Sequence, residues 1–195
     1  LEKIKQVVDV RDGEIMFGLN MVVHKGKTIF VGDTSVHEYP TSEQMAEIAI
    51  SAARVVRLFG FEPKVAFVSH STFGQPLTSR TKHIRTAVDI LKEKKVDFEF
   101  DGDMQPDVAL NPEYEDLYPF SNIVGKANIL IMPGQHSAAI SYKMMKTLGD
   151  TKVIGPLLIG LGLPIEIAPL RSSTSEIINL ASIAAYSADV INYNK

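Results

Sequence analysis

Two stretches of the chain follow one rule: a short apolar run, a polar loop, then apolar residues at helical spacing. Lys64–Val68 leads through the polar residues 69–79 to a stripe of Ile84, Ala87, Val88 and Leu91. Residues 128–132 stop at Pro133-Gly134 before a helix expected over 138–148 and closed by Gly149. A short strand-like run at 98–100 lies between the two units. A strand that is apolar on both sides must be covered on both faces, and parallel crossover units supply a covering helix after each strand. The rhythm therefore predicts an α/β fold, a three-layer α/β/α arrangement around a mostly parallel sheet.

The flanks add detail. Residues 14–23 and 28–33 are β-rich and joined by His24-Lys25-Gly26-Lys27, which predicts a hairpin. Thr41-Ser42-Glu43-Gln44 is a capping box ahead of Met45, Ile48, Ala49, Ala52 and Val56, with Gly60 as the stop. Val153-Ile154, Leu157 to Ile159 and Ile165 to Ile167 read as separate short central strands, broken by tight turns at Gly155-Pro156, Gly160 and Pro164. Ser173-Thr174-Ser175-Glu176 is a second capping box. The helix it opens carries Ile177, Ile178, Leu180, Ala181, Ile183, Ala184 and Ala185, which leaves little polar face and predicts burial, in a dimer if not within the chain. No internal repeat or linker divides the 195 residues, so a single unit is expected.

Composition removes several function classes. There is no cysteine, which excludes disulfides, thiolate nucleophiles and cysteine-based zinc sites and fits a reducing cytoplasm. A net charge of -3 lacks the basic footprint that nucleic acid demands. No apolar run reaches the length of a membrane-spanning helix, and no signal-peptide core follows Leu1-Glu2-Lys3-Ile4-Lys5. The expectation is a cytoplasmic protein with neither membrane nor nucleic-acid partner.

Candidate chemistry is sparse. Gly155, Gly160 and Gly162 match neither a phosphate loop nor a dinucleotide fingerprint, and they read as turns or close-packing positions. The histidines His24, His37, His70, His83 and His136 show no paired spacing on one helix face, so no metal site is expected. Asp101-Gly102-Asp103 lacks the rest of a calcium loop and reads as a turn. Arg80, Lys82 and Arg85 could hold phosphate, but three basic residues on an exposed helix usually form a solvated face, and they read as one. Ser69, Ser71 and Thr72 stand just after a strand, where open α/β sheets bind ligands; their hydroxyls either hold a ligand or satisfy the loop backbone. No Gly-x-Ser-x-Gly elbow surrounds them, which argues against a nucleophilic serine.

Four segments in order carry a resemblance: Ser69-His70-Ser71-Thr72, Asp101-Gly102-Asp103-Met104-Gln105, Gly125-Lys126-Ala127-Asn128, and Ile154-Gly155-Pro156-Leu157-Leu158 running on to Leu163-Pro164. Together they resemble the phosphate acetyltransferase (phosphotransacetylase) family. Asp33-Thr34-Ser35-Val36-His37-Glu38, Ser71-Thr72-Phe73-Gly74, Asp107-Val108-Ala109-Leu110-Asn111-Pro112-Glu113 and His136-Ser137-Ala138 resemble the version fused to the C-terminus of large bacterial NADP-dependent malic enzymes. The resemblance implies the phosphotransacetylase and isocitrate-dehydrogenase type of fold. It also implies that residues 1–195 are the later part of a two-lobed domain, consistent with a start at Leu1. The malic and NADP-binding domains, with their NADP and divalent Mg or Mn, would lie outside this chain.

Catalytic members of the family carry a Ser-Arg pair and then an Asp in the last loop and helix. The matching positions here are Pro169, Leu170 and Glu176, so the resemblance implies lost acetyl transfer, with Glu176 capping a helix; replacement of the missing cation by Arg171, one residue beyond Leu170, is the less favoured alternative. A retained scaffold without chemistry implies a sensor. Acetyl-CoA is the implied effector, with no cofactor in this part; its phosphates would take the backbone N–H groups near Ser172 and Ser173 together with Arg171. Ser69, Ser71 and Thr72 complete the expected ligand set, and at least a dimer is expected. The alternatives are an active acetyltransferase and a purely structural dimerisation module.

Overall fold

The computed structural model describes residues 1–193. After a short helix α1 (Glu2–Lys5), the chain forms the hairpin β1 (Phe17–His24) and β2 (Lys27–Gly32). Its two-residue turn holds Lys25 and Gly26 at positive φ (47° and 79°), the backbone that a tight hairpin with this twist requires. The rest runs α2 (Ser42–Leu58), β3 (Lys64–Val68), α3 (Ser79–Lys94), β4 (Glu99–Met104), α4 (Pro106–Leu110), a 3-10 turn (Pro112–Leu117), β5 (Ile129–Ile131), α5 (Gln135–Leu148), β6 (Thr151–Ile159), β7 (Ile165–Glu166) and α6 (Thr174–Tyr193).

One seven-stranded sheet has the order β4-β3-β5-β2-β1-β6-β7. Strands β4, β3, β5 and β2 are mutually parallel, while β1 is antiparallel to both β2 and β6, and β7 to β6. Five of the seven strands thus point one way, which is the expected mostly parallel sheet. Alternate residues face opposite layers. Phe17, Leu19, Phe30, Phe67, Ile129 and Ile131 meet Met45, Ile48, Ala52, Ile84 and Leu91 of α2 and α3. Val31, Ala66, Val68 and Leu130 meet Val108, Ala109 and Ala138 of α4 and α5. The three-layer expectation holds. Among the described residues, no helix is long and apolar enough to cross a membrane.

Three expectations need correction. Asp101-Gly102-Asp103 is not a turn but the body of β4: it pairs with Ala66-Phe67, and a register shift before Val68 absorbs the irregularity. Gly155-Pro156 does not break a strand, because β6 runs through it for nine residues against β1. The missing proline donor falls at a shift in register between Leu19 and Met21, where the ladder is already interrupted. That strand is not central either; only the two-residue β7 lies outside it. Finally, α6 is not buried within the chain. It crosses beside β6 and β7 with Leu180 in the core, while Ile177, Ile178 and Tyr186 stay about half exposed.

Candidate functional site

Strands β2, β5, β3 and β4 end at the same edge of the sheet. The helix after β2 packs on one face and the helix after β5 on the other, so the gap between these neighbours is the topological switch point of the fold. Two loops meet there, 33–41 and 132–134, with the 69–78 loop beside them.

Asp33 organises the first loop. Its carboxylate, 1% exposed, accepts from the N–H groups of Gly18 (2.8 Å), Ser35 (2.8 Å), Val36 (3.1 Å) and His37 (2.8 Å). His37 Nδ1 lies 2.6 Å from Asp33 Oδ2, which fixes the imidazole against the strand end. A buried carboxyl group with this many donors holds the loop in place: removing it would orphan the N–H groups it satisfies. Beside it, Asn20 on β1 accepts from the Thr34 hydroxyl at 2.7 Å, while its buried Nδ2 finds no partner among the described residues.

The two loops at the switch point touch each other. Gln135 N donates to the His37 carbonyl at 2.9 Å, and a Cβ on Gly134 would stand 2.2 Å from the Glu38 carbonyl oxygen. Glycine is required there by contact. The His136 and Glu38 side chains face each other above it at 3.6 Å.

Asp103 does for the second loop what Asp33 does for the first. Fully buried at the end of β4, it takes the Ser71 hydroxyl on Oδ2 and Gly74 N on Oδ1 (3.1 Å), and its carbonyl takes Phe73 N (2.7 Å). Ser69 Oγ accepts from Ser71 N at 3.3 Å, and Thr72 Oγ1 accepts from Gln105 N at 3.2 Å. The three hydroxyl residues expected to hold a ligand are therefore gathered at the strand end and buried, with Ser69 bonded within its own loop and Ser71 and Thr72 bonded to the end of β4 at Asp103 and Gln105. Outside them stand Phe73, Tyr118 and Phe120, with ring centroids 4.9 Å to 6.2 Å apart.

Pro169, Leu170, Arg171, Ser172 and Ser173 lie elsewhere. Pro169 and Ser172 line a small cavity of about 70 Å³ between α5, β6 and α6, with Tyr142, Lys146 and Glu176. Strands β3 and β6 are four sheet positions apart, about 19 Å, so the expected ligand residues form two groups, not one. Leu170 and Arg171 are exposed. Glu176 Oε2 accepts from Ser173 N (2.8 Å) and Ser173 Oγ (3.0 Å), and Oε1 from Lys146 Nζ (2.9 Å). Those bonds pull the Glu176 carboxyl down to about 2, the Ser173 backbone N–H contributing most, so the group is a fixed anion and a helix cap.

A larger groove of about 700 Å³ runs along Arg54, Leu58, Leu158, Gly160, Leu163 and Glu166. Burial pushes the Glu166 carboxyl up to about 8 against a single backbone hydrogen bond from Leu158 N at 3.3 Å. Sequence reading missed Asp33, Asp103, the aromatic group and Glu166. The available signal for the first two was an acid directly after glycine at the end of a β-rich run, Gly32-Asp33 and Gly102-Asp103.

A profile of the phosphate acetyl/butaryl transferase family matches residues 1–185, nearly the whole chain. This chain belongs to that family. An NADP-dependent malic enzyme of Rhizobium meliloti is 45% identical over 188 residues, covering 96% of this chain and 25% of that protein. A phosphate acetyltransferase of Bacillus subtilis is 32% identical over 185 residues, covering 94% of this chain and 57% of that one. The crystal structure of a phosphotransacetylase from Streptococcus pyogenes superposes with a TM-score of 0.88 at 30% identity, covering 94% of this chain and 57% of its own. The chain thus spans about a quarter of the malic enzyme and somewhat over half of the phosphotransacetylases.

Proposed function

We propose that this phosphotransacetylase-like chain is the non-catalytic, acetyl-CoA-binding and oligomer-forming C-terminal part of a cytoplasmic NADP-dependent malic enzyme, which oxidatively decarboxylates malate to pyruvate. The observation that carries the loss of acetyl transfer is the state of the segment 169–176. Proline offers no hydroxyl at 169, Leu170 is a fully exposed aliphatic side chain, and both Glu176 oxygens are engaged by Ser173 and Lys146. Acyl transfer from a thioester needs a base and donors for the developing oxyanion, and this segment supplies neither. The 45% identity to a malic enzyme favours the malic-enzyme context over a free-standing acetyltransferase.

Assembly is the second half of the reading. Ile140, Met144 and Leu148 recur at four-residue spacing on α5 and are 59%, 55% and 85% exposed, and Ile177 and Ile178 of α6 lie open as well. Contiguous exposed apolar helix faces mark surfaces that another subunit covers. An effector that binds two arrangements of such an assembly unequally can bias the distant malic site. NADP and the divalent metal belong, in this reading, to the domains outside this chain.

The test is calorimetric titration of acetyl-CoA into the full-length polypeptide, paired with an assay of CoA-dependent acetyl phosphate consumption. Saturable heat without turnover is the expected pair of results. Measurable turnover would promote the acetyltransferase reading, and no heat at all would leave a structural module.

A further inference from the structure

Beyond the ends of β3 and β4 the loops carry an apolar surface with opposite charges on its two sides. Phe73 packs edge-on against Phe120 at 4.9 Å and tilted against Tyr118 at 5.4 Å, yet Phe120 stays 70% exposed. Leu77, whose side chain borders Gly74 next to Phe73, and Leu117, which precedes Tyr118, are each 66% exposed. Three large apolar side chains left this open around one packed aromatic group mark a surface that another protein covers.

The charges divide by layer. Helix α3 packs with α2 on one face of the sheet through Ile84, Ala87, Val88 and Leu91. Its exposed side carries Arg85, whose Nη1 lies 3.5 Å from the Phe73 carbonyl oxygen, and Lys82 about one turn earlier. The 3-10 turn Pro112–Leu117 lies on the other face, where Tyr114 and Tyr118 pack against the core around Val108, and it exposes Glu113 and Asp116. Other acids in the area are engaged within the chain: Asp103 accepts from Gly74 N beside Arg85 at 3.1 Å, Glu115 pairs with Lys126 at 2.7 Å and Asp107 accepts from the Tyr114 hydroxyl at 3.2 Å. Lys82, Arg85, Glu113 and Asp116 form no ion pair among the described residues. A surface with cations on one side, acids on the other and apolar residues between is complementary to itself. Half a turn about an axis through its centre lays the basic side of one copy on the acidic side of another, twice over, and apolar on apolar. A partner of one charge sign would meet a repelling flank.

We infer that the surface around Phe120 is a two-fold contact between copies of this chain, separate from the apolar stripe of α5. The inference rests on the oligomer reading above and adds a second contact to it, so the assembly is larger than a dimer. Phe120, Leu77 and Leu117 form the centre, and Lys82 and Arg85 of one copy face Glu113 and Asp116 of the other.

Light scattering of the full-length protein with its charges reversed tests it. One variant carries Lys82→Glu with Arg85→Glu, the other Glu113→Lys with Asp116→Lys; all four side chains are outside the core, and thermal melting checks that both variants fold. Each makes its two flanks alike in sign and is expected to lower the mass in solution by about half. Mixed in equal amounts, the two are expected to recover the parent mass, because every acidic flank then meets a basic one. Recovery is the decisive sign, since a variant damaged in its fold regains nothing from the other. Phe120→Asp, at the centre, is expected to lower the mass whichever way the flanks are charged. Parent mass in all three variants overturns the contact, and Met144→Glu still reads by itself whether the α5 stripe joins subunits. Lowered mass without recovery on mixing overturns the facing of the flanks. A parent protein with the mass of one subunit ends this inference and the oligomer reading together.

Discussion

Single side chains at the strand ends decide whether this edge holds its shape. Asp33 and Asp103 each spend a buried carboxylate on a loop, and the hydroxyl of Ser71 is committed to the second of them. Glu166 is the contrasting case, a half-buried carboxyl with one backbone donor, pushed up to about 8 from an ordinary value of 4.5. Between those two values the unfolded chain carries it ionised while the folded protein keeps it protonated. Folding then takes up a proton, so stability falls as pH rises through the window, by at most about 1.4 kcal/mol per pH unit. Below 4.5 both states are protonated and the slope vanishes. Glu166→Gln is expected to flatten the dependence and to raise stability at pH 8; urea denaturation at half-unit intervals reads it, and an unaltered slope would show that another group titrates.

Elements were legible where local chemistry writes them. The capping boxes at Thr41 and Ser173, the Lys25-Gly26 turn and strand β3 follow from neighbours within a few residues, and the structure has them where the sequence places them. What local reading lost depends on distant pairing. Glycine and proline at 155–156 signal a break, yet β1 supplies a ladder with its own irregularity opposite them. Likewise Asp101-Gly102-Asp103 is turn-like until β3 is laid beside it. The same holds for the site: Ser69, Ser71 and Thr72 were recognisable as residues after a strand, but their acceptor, Asp103, is 32 residues from Ser71. The join between the 33–38 loop and α5 gives a test at this scale. Gly134→Ala puts a methyl group 2.2 Å from a backbone oxygen, and a cost of about 2 kcal/mol or more is expected from the forced backbone shift. A melting temperature within a degree of the parent protein would mean that the loop yields freely.

On the scale of the molecule, the sheet separates two surfaces. The shared strand edge carries the loops, while the outer faces of α5 and α6 carry exposed apolar residues. On the proposed assembly, Met144→Glu on the exposed α5 stripe is expected to lower the mass in solution by at least half without lowering the stability of the fold, as read by light scattering and melting together. Unchanged mass would place the subunit contact elsewhere. The brace between Gly134 and Glu38 joins these two surfaces. A helix whose first residue rests on a neighbouring carbonyl has no slack at that end, so α5 cannot tilt or slide without dragging residues 33–38 along. A push felt at the strand ends would arrive at Ile140 and Met144 as motion of one stiff rod.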